Sequence, residues 1–210
     1  MPERDARPGH AFLPWLLPAL AVWLVPRPAA AHTLFQGVGS LWSGVAHLLT
    51  SPAQLAFLVG LAIWTSFQDF RLDPRVIAAT LAATFAGGAI APVLGAAGES
   101  APLGAALMLL IGLAAAARLR IGAAPVIGLA SVGGLVGGAA GGSVGSGLPQ
   151  ILSALGGSLA GASVLSYGLL GARRLDAEWG RIALRAAASW IAAIGLMMLA
   201  FAWVQGTGSG

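Results

Sequence analysis

Long apolar segments separated by short polar turns fill the sequence beyond residue 50. Six of them lie near residues 52–68, 74–95, 101–118, 121–142, 148–171 and 182–204. Each holds about 18–24 residues, enough for an α-helix rising 1.5 Å per residue to cross a hydrocarbon core of about 30 Å. Because lipid offers no partners for backbone hydrogen bonds, each crossing segment must be helical. The pattern predicts an all-α membrane protein, a bundle of about six transmembrane helices.

Two of the predicted helices begin with recognisable capping signals. Ser51, with Gln54 three residues later, has the pattern of a capping box, and Pro52 occupies the first helical position. Asp73 followed by Pro74 repeats the arrangement of a cap and a proline. We therefore expect helices to begin at these two places.

The stretch 34–50 comes before the first span and is also apolar. Its polar side chains recur every three or four residues, at Gln36, Ser40, Ser43 and His47. That spacing places them on one side of a helix. We predict a short re-entrant or interfacial helix that rests against the bundle.

Residues 1–31 have the three parts of a signal peptide. A polar start with two arginines precedes an apolar run over residues 11–25, and Ala29-Ala30-Ala31 supplies a small-residue cleavage site. Cleavage before His32 would leave residues 32–210 as a single polytopic transmembrane domain. The alternative is an uncleaved first transmembrane helix, for which a run of about 15 apolar residues is short.

The composition excludes several classes of protein. Charged residues make up 9 % of the chain and hydrophobic residues 58 %, whereas a soluble domain carries roughly 25 % charged residues. The basic residues are all arginines, scattered in ones and twos, so no polybasic patch for nucleic acid is present. The chain has no cysteine, which excludes disulfides and thiolate chemistry.

The turns between the predicted spans alternate in charge. Arginines occupy residues 69–75, 118–120 and 173–185, whereas residues 96–100 and 143–147 carry none. Arginine-bearing loops stay on the cytoplasmic side. We therefore predict six crossings with both mature termini outside the cytoplasm. Three tryptophans near the predicted interfaces fit an aromatic belt: Trp64, Trp179 and Trp203.

Candidate chemistry is sparse. No Asp, Glu, Lys or His lies inside the six spans, although ion-coupled transporters normally carry such a group. No Ser-His-Asp set or carboxylate pair can be assembled, so we predict that the protein is not an enzyme. The candidate metal ligands are His32, which would become the mature N-terminus, and His47. The alternative for His47 is a structural, hydrogen-bonded histidine.

Glycines repeat every four residues along the fourth span. They form one bare helix face, which the fifth span continues: Gly133, Gly134, Gly137, Gly138, Gly141, Gly142, Gly157 and Gly161. Such small-residue faces allow helices to approach closely. Close packing within the chain, a seam with a second copy or partner subunit, and a substrate passage are the three interpretations.

Residues 44–64 resemble a known family pattern. The sequence GVAHLLTSPAQLAFLVGLAIW is similar to G-x-x-H-x-L-x-G-x-D-H-L-L-x-x-x-x-G-L of the HupE/UreJ family of hydrogenase and urease accessory membrane proteins. His47 matches the first histidine of the pattern. Ala53 stands where the family has aspartate, and Gln54 stands where it has the next histidine.

The fourth span carries the second part of the resemblance. Residues 136–142 are similar to the family's F-H-G-x-A-H-G, with Gly137 and Gly141 in place of both histidines. Ser166 aligns loosely with a further family histidine. The glycine and alanine frame is kept, whereas most of the metal-ligand positions differ.

The resemblance implies a six-span inner-membrane protein with a role in Ni²⁺ or Co²⁺ supply for metalloenzyme maturation. The ion would be transient cargo rather than a resident cofactor, and His32, His47 and Gln54 would be its remaining polar contacts near the outer face. The alternative is a non-catalytic membrane subunit that packs against partner helices through the glycine faces. The expected partners are membrane lipid and, in that alternative, a second copy or the subunits of a membrane complex.

Overall fold

The computed structural model describes residues 39–94, 101–141 and 146–207. These residues form seven α-helices, and a short 3-10 helix over Phe70–Leu72 precedes the third. The helices are α1 (Ser40–Thr50), α2 (Pro52–Ser66), α3 (Asp73–Leu94), α4 (Ala101–Ala116), α5 (Ala123–Ala140), α6 (Leu148–Arg174) and α7 (Glu178–Thr207). The all-α prediction is confirmed for these residues, and one helix lies in each of the six predicted segments. The predicted signal peptide over residues 1–31 lies outside the described residues.

The described helices differ in whether they could cross a membrane. By length and composition, α3, α5, α6 and α7 each could. α1 and α2 meet the same test together, but the chain bends by 74° between them, as in a broken span or a re-entrant loop. α4 has 16 residues, about 24 Å of helix, which is short of the hydrocarbon thickness of about 30 Å. The described helices thus provide four candidate spans, or five with the bent pair, and the six crossings remain a prediction.

α2 lies at the centre of the bundle. It packs against α4, α6 and α7, and it buries the side chains of Leu61 and Trp64 completely. The most extensive helix contacts are those of α3 with α5, α4 with α7, and α1 with α6. Large apolar side chains of α7 instead face outwards, where lipid would contact them.

One end of the bundle gathers the arginine-bearing turns, and we call it the arginine end. Arg173 at the end of α6 pairs with Asp73 at the start of α3, through two contacts of 2.5 and 2.6 Å. Its guanidinium also donates to the Ser66 carbonyl at the end of α2, at 3.1 Å. Arg185 donates to the last turn of α4, at Ala116 O, over 2.9 Å. Three turns far apart in sequence therefore meet at one end, as the alternation of charge predicted.

The structure corrects the prediction that Trp64 belongs to an aromatic belt. Its side chain is 0 % exposed, and its indole N–H donates to the carbonyl of Leu119 at 3.0 Å. The indole is buried because this carbonyl, in the turn after α4, satisfies its one polar group. Trp179 and Trp203 are 68 % and 75 % exposed, as residues at an interface would be.

The predicted capping box at the start of α2 is also wrong. Pro52 does lie in the first turn, but the side chain of Ser51 makes no capping hydrogen bond. The Gln54 amide is directed away from the helix terminus, to the carbonyl of Gly137 on α5. Gln54 therefore donates to a distant carbonyl instead of accepting from the N–H of Ser51, which donates to Leu48 O.

Candidate functional site

A small polar cavity lies at the end of the bundle opposite the arginine end. Its volume is about 30 Å³, enough to hold more than one water molecule. Helices α1, α2, α3, α5 and α6 surround it. The side chains that give it its polarity are His47, Gln54, Thr84, Gln150 and Ser153, and glycine backbone completes the wall.

Gln150 repairs a break in the hydrogen bonding of α3. Pro92 lies inside that helix and has no N–H, so the carbonyl four residues earlier, at Gly88, lacks its usual helical donor. The Gln150 Nε2 donates to this carbonyl at 3.0 Å and to that of Ala89 at 3.2 Å. Gln150 is 7 % exposed. An amide with two acceptors in a buried place is firmly fixed.

Gln54 serves a similar purpose at the end of α5. The N–H of Gly141 donates to Gly138 O rather than to Gly137 O, because the last turn of α5 is tightened. The carbonyl of Gly137 instead accepts from Gln54 Nε2 at 2.9 Å. This contact joins α2 to α5 across 83 residues of sequence.

His47 reaches the polar cavity from α1. Its ring lies beside Gly141, and Cδ2 would be 3.6 Å from a Cβ at that position. Close backbone packing holds α1 in place, since a Cβ on Gly44 would overlap the Ser153 carbonyl of α6 and one on Gly156 would overlap the Leu41 carbonyl. Glycines on both helices therefore set the position of the imidazole.

An apolar cavity of about 190 Å³ lies next to the polar one. It extends one helical turn further towards the arginine end along α2 and α5, past Phe57 and Gly133. Leu107 and Met108 of α4 and Met198 of α7 add to its wall. No charged side chain lines it.

No carboxylate of the described chain lines the polar cavity. Among the described residues, no group of three or more His, Cys, Asp or Glu side chains could hold a metal ion. What the cavity offers is one imidazole, amide and hydroxyl groups, and backbone carbonyls. Imidazole suits Ni²⁺ and Co²⁺, while neutral oxygens supply weaker contacts.

The glycine face of α5 packs against helices of this chain. A Cβ on Gly138 would overlap the Thr84 carbonyl of α3, one on Gly134 would lie 3.0 Å from Thr80 O, and one on Gly133 would overlap the Phe57 ring. Gly157 and Gly161 of α6, which were predicted to continue this face, pack against α1. A Cβ on Gly157 would lie 3.5 Å from Gly44 O, and a Cβ on Gly161 would lie 3.2 Å from Leu48 Cδ1.

The structure brings together some of the predicted site residues. His47 and Gln54 line one cavity with Gly137, Gly138 and Gly141. Ser166 does not join them; its hydroxyl donates to a carbonyl of its own helix. His32 and Gly142 lie outside the described residues.

The prediction missed Gln150, which is the most firmly bound side chain of the site. The available signal was a polar amide directly after Pro149, in the first turn of an apolar helix. A second signal was Pro92, which leaves a carbonyl without a donor inside an apolar span.

The comparison with known proteins agrees with the sequence motifs. No curated protein and no solved structure shows significant similarity to the chain. A family model described as HupE / UreJ protein matches residues 20–198, which is most of the chain. The chain therefore belongs to the HupE/UreJ family.

Proposed function

We propose that this membrane protein supplies Ni²⁺ or Co²⁺ for metalloenzyme maturation and binds the dication transiently, as cargo, at the polar cavity. Family membership suggests the metal. The observation that carries the proposal is the position of His47, the imidazole of α1, at a cavity where amide and hydroxyl groups and glycine carbonyls converge.

The donor set implies weak binding. An imidazole with neutral oxygens leaves most of the charge of a dication uncompensated, and burial of a bare ion would be costly. The ion therefore keeps part of its hydration shell at the cavity. Weak, readily reversible binding suits a conducting protein, because an ion that binds tightly is slow to leave.

The orientation follows from the arginine end. Arginine-bearing turns stay in the cytoplasm, so we propose that the opposite end, with the polar cavity, faces the periplasm of the inner membrane. Nickel or cobalt would then reach His47 from outside.

The glycine faces do not favour the alternative of a subunit that packs against partner helices. The described glycines of the two predicted faces lie against α1, α2 or α3 of the same chain: Gly133, Gly134, Gly137, Gly138, Gly141, Gly157 and Gly161. A partner helix would have to displace those contacts.

Nickel accumulation in cells tests the proposal. The strain should lack its own nickel importers and express the wild-type chain, His47→Ala or Ser43→Ala at matched membrane levels. Ser43 lies one turn earlier on α1, so its variant controls for changes to that helix. We expect His47→Ala to lower accumulation at least fivefold and Ser43→Ala to leave it unchanged. Wild-type accumulation no higher than that of empty cells, or equal accumulation with His47→Ala, would overturn the proposal.

A further inference from the structure

The polar and apolar cavities meet at a layer of shared wall residues. Both are lined by Leu48, Gln54, Thr84 and Gly137. Any cargo that moved from the first cavity to the second would pass between these four residues. The question is which of them can move.

Three of the four are fixed by packing. Leu48 is a buried member of the apolar core. Thr84 is buried, and its carbonyl abuts Gly138 across the contact of α3 and α5. Gly137 contributes only helix backbone. Gln54 is a long, half-buried side chain with several rotatable bonds.

The two glutamines of the site differ in how firmly they are held. Gln150 is buried and donates to two carbonyls, one of which Pro92 deprives of its helical donor. Gln54 donates to one carbonyl, and it lies in a partly buried position. Water or a hydrated ion in the polar cavity could replace that single bond, since the carbonyl of Gly137 accepts equally well from a water O–H.

We propose that Gln54 is a gate between the two cavities. With its amide on Gly137 the layer is closed. When the side chain turns away, the polar cavity joins the apolar one, and the Gly137 carbonyl and the Gln54 amide become available to the cargo. This regulation rests on the function proposed above, in that the ion would leave its binding cavity with water around it, and only while the side chain is turned away.

Cysteine labelling tests the gate without any metal. The natural chain has no cysteine, so a single introduced thiol is unambiguous. Met108→Cys places it in the wall of the apolar cavity, where Met108 is 1 % exposed, and Ser153→Cys places it in the polar cavity. Each would be made with native Gln54 and with Gln54→Ala. The protein would be held in lipid nanodiscs and treated with a charged, membrane-impermeant methanethiosulfonate.

We expect Gln54→Ala to raise the labelling rate of Met108→Cys at least tenfold and to leave that of Ser153→Cys within twofold. Gln68→Ala is the control, because Gln68 also donates its Nε2 to a carbonyl distant in sequence, Leu119 O at 2.7 Å, and more weakly to Trp64 O at 3.5 Å, but at the arginine end. It should change neither rate. If Gln54→Ala fails to accumulate, Gln54→Asn, which is one methylene too short to reach Gly137, replaces it with the same expectation.

Equal labelling of Met108→Cys with and without Gln54 would overturn the gate. So would an increase of the same size with Gln68→Ala or at Ser153→Cys, because that would indicate general loosening of the bundle. Because no metal is present, a failed nickel experiment would remove the proposed cargo and leave this result standing.

Discussion

Two adjacent glycines on α5 should respond in opposite ways to the same substitution. A Cβ on Gly138 would overlap the Thr84 carbonyl oxygen and lie 2.8 Å from the Gly88 nitrogen. Both neighbours are helix backbone, so α3 as a whole would have to move by about 1 Å to relieve the overlap. A Cβ on Gly137 would lie 4.0 Å from its nearest neighbour, Gln54 Cγ, which is an ordinary contact.

The size of the difference follows from two terms. Replacing glycine by alanine inside a helix gains about 0.8–1 kcal/mol in either variant. Forcing extra volume into a packed interior costs about 1–3 kcal/mol, and only Gly138→Ala incurs that cost. The free energies of unfolding of Gly137→Ala and Gly138→Ala should therefore differ by about 1–3 kcal/mol, with Gly138→Ala the less stable.

Thermal unfolding of the purified variants in detergent measures this difference. At about 2–4 °C per kcal/mol for a chain of this size, the midpoint of Gly138→Ala should lie several degrees below that of Gly137→Ala. Gly128→Ala, on the same helix with open space around it, should behave like Gly137→Ala. Equal midpoints for the two adjacent variants would refute the close approach of α3 and α5.

Two further predictions concern polar groups in the bundle. Arg173→Met should lower the free energy of unfolding by about 2–3 kcal/mol, between the values typical of exposed and of buried ion pairs, because it leaves the half-buried Asp73 carboxylate unpaired. Denaturant titration measures this loss. The double variant Asp73→Asn/Arg173→Met should recover part of it. Thr65→Val should raise the thermal midpoint, since its buried hydroxyl has no partner among the described residues and removing it saves about 1 kcal/mol. Thr80→Val, which loses a bond to Val76 O, should not raise it, and a rise of the same size in both would contradict the reasoning.

The positions of the helices could be predicted from the sequence, because a helix that crosses a membrane needs a minimum number of consecutive apolar residues. The apolar run of α6 is long and is followed by arginines in the sequence. In the structure, α6 ends at Arg174. The arginine end could be anticipated for the same reason, since charge separates the two sides of a membrane. The particular pairing of Arg173 with Asp73 could not, because they lie 100 residues apart.

The side-chain partners of the site were not accessible from local patterns. Gln54 has the residue type and spacing of a capping box, but the Ser51 N–H that it would accept from already donates to Leu48 O, and the Gln54 amide donates to the carbonyl of Gly137 at a tightened helix end. The same limit explains Trp64, which has the composition of an interfacial residue but finds its acceptor in the turn after α4. His47 could be named as a candidate metal ligand from the sequence, because that role depends on the imidazole itself rather than on its neighbours. The structure places this residue beside a cavity.

Metal binding by the purified protein tests the central claim, that His47 makes the polar cavity a weak site for Ni²⁺ or Co²⁺. Equilibrium dialysis against either ion, with the bound metal counted by mass spectrometry, should find one ion per chain with a Kd on the order of micromolar or weaker. His47→Ala should abolish this binding, whereas Gln68→Ala should retain it. Unchanged binding with His47→Ala, or binding that is lost only with His32→Ala, would contradict the account.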